Sequence, residues 1–126
     1  MAENRMESGL NPVELARELR SVLARNAAEA ERTRRLPEEN IDALEKANLF
    51  KVMTPKRWGS YGVPLTTSLQ TFAELAKGCG STGWVAMIIN GVEWWASRLP
   101  DEGQEEIFAK SPARICAAGT PALKGK

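Results

Sequence analysis

The sequence contains no histidine. That absence excludes Ser-His-Asp and Cys-His nucleophiles and removes the commonest metal ligand and general base. Cysteine occurs only at Cys79 and Cys116, too sparse for a disulfide framework in 126 residues, so both read as reduced thiols. CxxC, HExxH and GxxxxGK[ST] motifs are missing, and with them the signatures of zinc and phosphate-loop chemistry; no metal site is expected. Charge of one sign is not in excess: 17 basic and 16 acidic residues leave a net charge of +1, which argues against a nucleic-acid footprint. No stretch approaches the ~18 apolar residues of a membrane span. The opening MAENRMESGLNP lacks the apolar core of a secretory signal. What remains is 43% hydrophobic and 26% charged, ordinary for a soluble globular domain, expected to be cytoplasmic. Chemistry of the demanding kind would have to come from a cofactor or from other protein.

The pattern along the chain is helical. Residues 1–10 are polar and aperiodic and are expected to be disordered. Asn11-Pro12-Val13-Glu14 combines an N-cap, a proline at the first helical position and an acid in the first turn. Leu15, Leu19, Val22, Leu23, Ala27 and Ala30 then recur at helical spacing, predicting one helix from about Pro12 to Arg34. The basic run from Arg32 to Arg35 reads as its solvated end. Leu36-Pro37-Glu38-Glu39 starts a second helix, with Ile41, Leu44 and Ala47 inward and a left-handed stop near Asn48. Phe50, Val52 and Met53 suggest a short extended piece. The proline- and glycine-bearing stretch from Thr54 to Pro64 is a loop that Trp58 and Tyr61 would pin to the core.

Thr66 or Thr67 is expected to cap a third helix, which Gly78 and Gly80 end. Ser81 or Thr82 is expected to cap a fourth, from about Gly83 to Arg98. The fourth is apolar nearly all round, which predicts burial on most sides and an apolar face too large for five helices to cover. Trp94 and Trp95 read as structural, and Trp84 is divided between core and pocket wall. Glu93 is the one carboxylate on this helix; a surface Lys or Arg partner is favoured over a buried acid in a pocket. Pro100-Asp101 opens a fifth helix to about Ala109. Ile115-Cys116-Ala117-Ala118-Gly119 then reads as the start of a strand with no partner strand in the sequence. The resulting organisation is a disordered 1–10, an all-α helical domain over 11–112, and a strand and tail over 113–126 that begins a β domain.

Several segments together carry a resemblance: ELARELRSVLARNAAEAERTRRLPEENIDALEKANLFKVMTPKRWGSYG, FAELAKGCGSTGWVAMI, LPDEGQEEIF and RICAAGTPALKGK. In order and spacing, over roughly residues 10–126, they resemble the N-terminal helical-bundle domain of the acyl-CoA dehydrogenase-like flavoproteins. Gly80-Ser81-Thr82-Gly83-Trp84, Leu99-Pro100-Asp101-Glu102 and Arg114-Ile115-Cys116 are most similar to the oxygenase components of two-component flavin-dependent aromatic hydroxylases.

That resemblance implies a chain cut where a central β-barrel begins. It implies reduced flavin (FMN or FAD) supplied by a separate flavin reductase, hydroxylation of an aromatic or phenolic substrate with O2, and self-association. By position it places Trp84, Val92 and Ala118 in a substrate pocket and Ala118, Gly119, Thr120 and Pro121 beside the flavin, and it assigns no catalytic residue to this segment. The family often has a histidine eight residues beyond the pocket tryptophan; Val92 stands there, making this wall more apolar. By itself the segment is expected to be inactive and to bind flavin weakly or not at all. The alternatives are an acyl-CoA dehydrogenase-type fragment and a small non-enzymatic helical interaction module.

Overall fold

A computed structural model describes residues 9, 11–109 and 114–117. Those residues form α1 (Pro12–Arg25), α2 (Ala27–Thr33), α3 (Glu38–Lys46), α4 (Leu65–Gly78), α5 (Gly80–Ala96) and α6 (Asp101–Phe108), with a single 3-10 turn at Lys56–Trp58. α1 packs along α4, and α4 along α5; α2 and α3 lean on this stack, and α6 closes the far end of α5. The core between them holds Leu15, Leu23, Leu44, Leu49, Val52 and Leu75, all essentially inaccessible to water. Among the described residues no helix is long and apolar enough to cross a membrane.

Local signals set the first helix. The Asn11 side chain accepts from the Val13 and Glu14 amides at 2.9 and 3.1 Å, and the Glu14 carboxylate accepts from the Asn11 amide, closing a capping box. The predicted single helix over 12–34 is broken at Asn26. Its side-chain amide donates to Glu39 Oε2 and Asn40 Oδ1, at 2.7 and 2.8 Å, and so ties the break to α3. α2 ends at Arg34 in the left-handed region (φ 54°), and Asn48 (φ 57°) provides the left-handed stop predicted after α3.

Glycine decides how closely the helices approach. A Cβ on Gly83 would lie 2.7–2.8 Å from Ala76 of α4, and one on Gly78 would lie 2.9 Å from the Arg20 carbonyl of α1. Both crossings are therefore closer than any side chain permits. Glu74 of α4, largely buried, fastens the α1–α4 crossing through Arg20 and Arg17 of α1, with Lys77 at 2.9 Å on its own helix.

Two cap assignments change. α4 starts behind Pro64 without a side-chain cap, so neither Thr66 nor Thr67 caps it. α5 starts one turn early, behind the extended Cys79, which leaves Ser81 and Thr82 inside the first turn. Thr82 is buried and accepts from Asn40 Nδ2 at 3.0 Å, so its hydroxyl serves packing rather than an open helix end. Residues 50–53 form turn and bends instead of an extended strand, because the Val52 amide bonds to a side chain, not to a neighbouring strand.

The loop reading of Trp58 and Tyr61 agrees with the structure. Tyr61 is buried and donates to the Ala47 carbonyl at 2.7 Å; Trp58 Nε1 donates to Gln104 Oε1 at 3.1 Å and its ring lies 5.7 Å from that of Phe108. Arg114 to Ala117 carry no regular structure, since none of the described residues offers a strand to take their backbone bonds; Arg114 reaches Glu45 at 3.5 Å.

Candidate functional site

The two sides of α5 have opposite chemistry. Its inner side buries Thr82, Gly83, Ala86, Asn90, Glu93 and Ala96. Asn90 spends every side-chain hydrogen-bonding atom there. Its Oδ1 accepts from the Val52 amide at 2.7 Å, and its Nδ2 donates to the Leu49 and Ala86 carbonyls at 2.9 and 2.8 Å. Three residues on, Glu93 is fully buried and accepts from the Thr54 hydroxyl at 2.9 Å through Oε2. Burial pushes its carboxyl up to about 7, a rise that the Thr54 hydrogen bond and the charge of Lys51 partly oppose. The reading that favoured a surface cation as partner of Glu93 is thus corrected: its bonded partner is a hydroxyl in the interior.

The outer side is apolar and faces water. Trp84, Ile88 and Trp95 follow one another along a helical stripe and are 62%, 44% and 75% exposed. Gly91 lies between Ile88 and Trp95, with open space where a Cβ would be, so the stripe has a notch in it. Val92 borders the stripe and is half-buried. The structural reading of Trp94 and Trp95 fails in the same way as the expected burial of α5: the inner side is already filled by polar groups bonded to the 49–54 segment. Trp94 is instead covered by the Arg98 guanidinium, 4.6 Å from its ring centroid, and helps line an apolar groove of about 360 Å³ with Met53, Val63 and Leu65.

On the other flank, Val85 and Ile89 join Phe50 and Ile41 as the floor of an open cleft of about 710 Å³, with Arg34, Arg35 and Arg114 on its rim.

These features fit a flat aromatic ring. Indole faces and aliphatic side chains pack against such a ring by dispersion and exclude water from it. Toward a flavin the fit is of the same kind, a wall for a ring system. The flavin contacts expected at Ala118, Gly119, Thr120 and Pro121, and the pocket role of Ala118, lie outside the described residues. Of the other residues expected in the pocket, Trp84 and Val92 fall on neighbouring strips of the same outer side. Among the described residues no group of acids and cysteines is arranged to hold a metal ion.

Sequence reasoning did not find Asn90 or Thr54, both uncharged and without a motif. The signal available was an Asn at the centre of an otherwise greasy helix. Gly78-Cys79-Gly80-Ser81-Thr82-Gly83 also has the G-x-G-x-x-G spacing of a dinucleotide fingerprint, but it joins two helices. The strand that the fingerprint requires is absent, and Gly78 and Gly83 serve the helix crossings.

Comparison with known proteins places this geometry in context. The acyl-CoA dehydrogenase N-terminal domain profile matches residues 13–124. The chain is 30% identical over 105 residues to the oxygenase subunit HsaA, a flavin-dependent monooxygenase of Rhodococcus jostii, covering 82% of this chain and 28% of the relative. It is 30% identical over 97 residues to the oxygenase component of an FADH2-dependent resorcinol hydroxylase from a Rhizobium species, covering 76% of this chain and 24% of that one. XiaF from a Streptomyces species, solved in complex with FADH2 and glycerol, superposes with a TM-score of 0.76 at 32% identity, over 88% of this chain and 27% of XiaF. The chain therefore spans about a quarter of the length of the curated relatives it matches.

Proposed function

Because the chain belongs to the acyl-CoA dehydrogenase N-terminal domain family, we propose that it is the helical domain of an oxygenase component that hydroxylates an aromatic or phenolic substrate with reduced flavin and O2. The carrying observation is the outer side of α5. Trp84, Ile88 and Trp95 are held out to water by a helix whose inner side is locked by hydrogen bonds. That side forms one wall of the substrate pocket, with Trp84 and Val92 against the ring. Reduced flavin, when bound, supplies the electrons that activate dioxygen. Residues of this chain orient the substrate ring and exclude water from it. On this reading Ala118, Gly119, Thr120 and Pro121 are the residues that meet the flavin. A flavin reductase is the redox partner, the assembly is oligomeric and cytoplasmic, and the chain alone binds flavin weakly or not at all.

The test is a chimera in which this chain replaces the matching segment of the Rhodococcus oxygenase subunit. Supplied with reduced flavin and O2, the chimera hydroxylates members of a phenol panel, and Trp84→Ala raises KM for the ring substrate while the circular dichroism spectrum is unchanged. A folded, flavin-binding chimera that leaves phenols untouched and passes electrons from acyl thioesters to flavin overturns the reading in favour of a dehydrogenase. Titration of the isolated chain with reduced flavin tests the last point; stoichiometric tight binding contradicts it.

A further inference from the structure

The loop between α3 and α4 is held to α5 by a short series of buried polar contacts that ends on Glu93. The Leu49 carbonyl and the Val52 amide bond to Asn90, and the Thr54 hydroxyl bonds to Glu93. From there the loop runs back over itself: the Tyr61 and Val63 amides bond to the carbonyls of Lys51 and Val52, each at 3.3 Å. Between Thr54 and Tyr61 it carries Arg57 and Trp58, which both bond to Gln104 of α6, and Arg57 also reaches Asp101 at 2.8 Å. The loop that meets Glu93 through Thr54 thus also carries the two residues that bond to α6.

That contact is unbalanced. Glu93 is fully buried, its Oε2 has one hydroxyl donor, and its Oε1 has no hydrogen-bond partner. A carboxylate so placed is a charge without solvent and with one neutral donor; a carboxylic acid in the same place is neutral. Lys51, half-buried on the loop itself, is the charged group whose field reaches it, and among the described residues no Lys or Arg forms an ion pair with it. Nothing on α5 or α6 supplies a second donor among the described hydrogen bonds.

We propose that Glu93 is a protonation-controlled latch: as the neutral acid it holds the 49–54 segment against α5, and on ionisation it loosens that segment together with the Arg57–Trp58 bridge to α6. The proton is lost to solvent when the segment opens, and the carboxylate is then hydrated; no other group changes state.

Amide exchange of Val52, whose N–H points at Asn90 one contact away, reports the latch in the chain as it stands. Corrected for intrinsic base catalysis, its protection falls at least tenfold between pH 6 and pH 8. In Glu93→Gln, which keeps an acceptor for Thr54 and cannot ionise, protection is level over the same interval. A level profile in the unaltered chain, or the same fall in Glu93→Gln, overturns the proposal. Should Glu93→Gln fail to fold, the carboxyl carbon resonance of Glu93 in the unaltered chain decides: a midpoint near 7 supports the latch, and one below about 5, the ordinary carboxylate range, sinks it.

Discussion

Replacing Gly83 with alanine tests whether the α4–α5 crossing is as close as the structure draws it. The added Cβ would sit 2.7 Å from Ala76 Cβ and 2.8 Å from Ala76 Cα and N. Carbon atoms pack at about 3.5–4.0 Å, so the helices must part by roughly 1 Å. Two of the three atoms met are backbone, which cannot rotate aside. Overpacking of this kind costs about 1–3 kcal/mol, and the upper half of that range applies where the backbone itself must move. The better helix propensity of alanine returns at most about 1 kcal/mol, less so near a helix start. The net loss is about 2 kcal/mol, or a fall in Tm of about 8 °C for a chain of this size. Urea unfolding followed by tryptophan fluorescence, beside calorimetry, measures it. Gly91→Ala is the control: nothing lies within 4 Å of its Cβ, so it gains up to about 1 kcal/mol. Ala76→Gly combined with Gly83→Ala removes one of the three contacts and restores part of the loss. A Gly83→Ala protein as stable as the unaltered chain would show that α4 and α5 do not meet at this distance.

Other perturbations read other contacts. Asn90→Ala strands the Val52 amide and the Leu49 carbonyl in the interior; a loss of about 3 kcal/mol is expected in urea unfolding, at about 1–3 kcal/mol for each unsatisfied group. Asn11→Ala removes the capping box of α1 and lowers stability by about 1 kcal/mol, read from the urea midpoint with an unchanged slope. The pH dependence follows from Glu93, whose carboxyl rises from 4.5 to about 7 on folding. Its contribution is fully present below 4.5 and declines as pH rises to about 7, because the unfolded chain releases the proton first. The decline amounts to about 3 kcal/mol at 1.36 kcal/mol per unit. Glu93→Gln lacks it, and parallel pH–stability curves for the two proteins would refute the assignment.

Features written in neighbouring residues were legible in the sequence. The Asn11 box, the left-handed Asn48 and the start of α6 behind Pro100 each depend on a few adjacent groups. The break at Asn26 was not, because its cause is a pair of acceptors on α3 contributed by Glu39 and Asn40. The rotation of α5 was hidden for a related reason. With apolar residues around most of its circumference, periodicity cannot say which side turns inward, and the choice falls to Thr82, Asn90 and Glu93, whose partners are 38–42 residues away in sequence. Of the candidate site, Trp84 and Val92 were nominated through resemblance, and an unpaired apolar face was expected from composition. Which tryptophans form that face was not, since a helix this greasy offers no polar side for contrast.

α5 is inside out with respect to water. Its polar groups anchor it, and its oily ones look outward. Folding instructions and adhesive surface are therefore written on opposite flanks of a single rod. Selection, or an engineer, can rewrite Trp84, Ile88 and Trp95 for a new neighbour or a new ring without disturbing how the bundle closes, whereas a change as mild as an amide lost at Asn90 reaches the whole architecture.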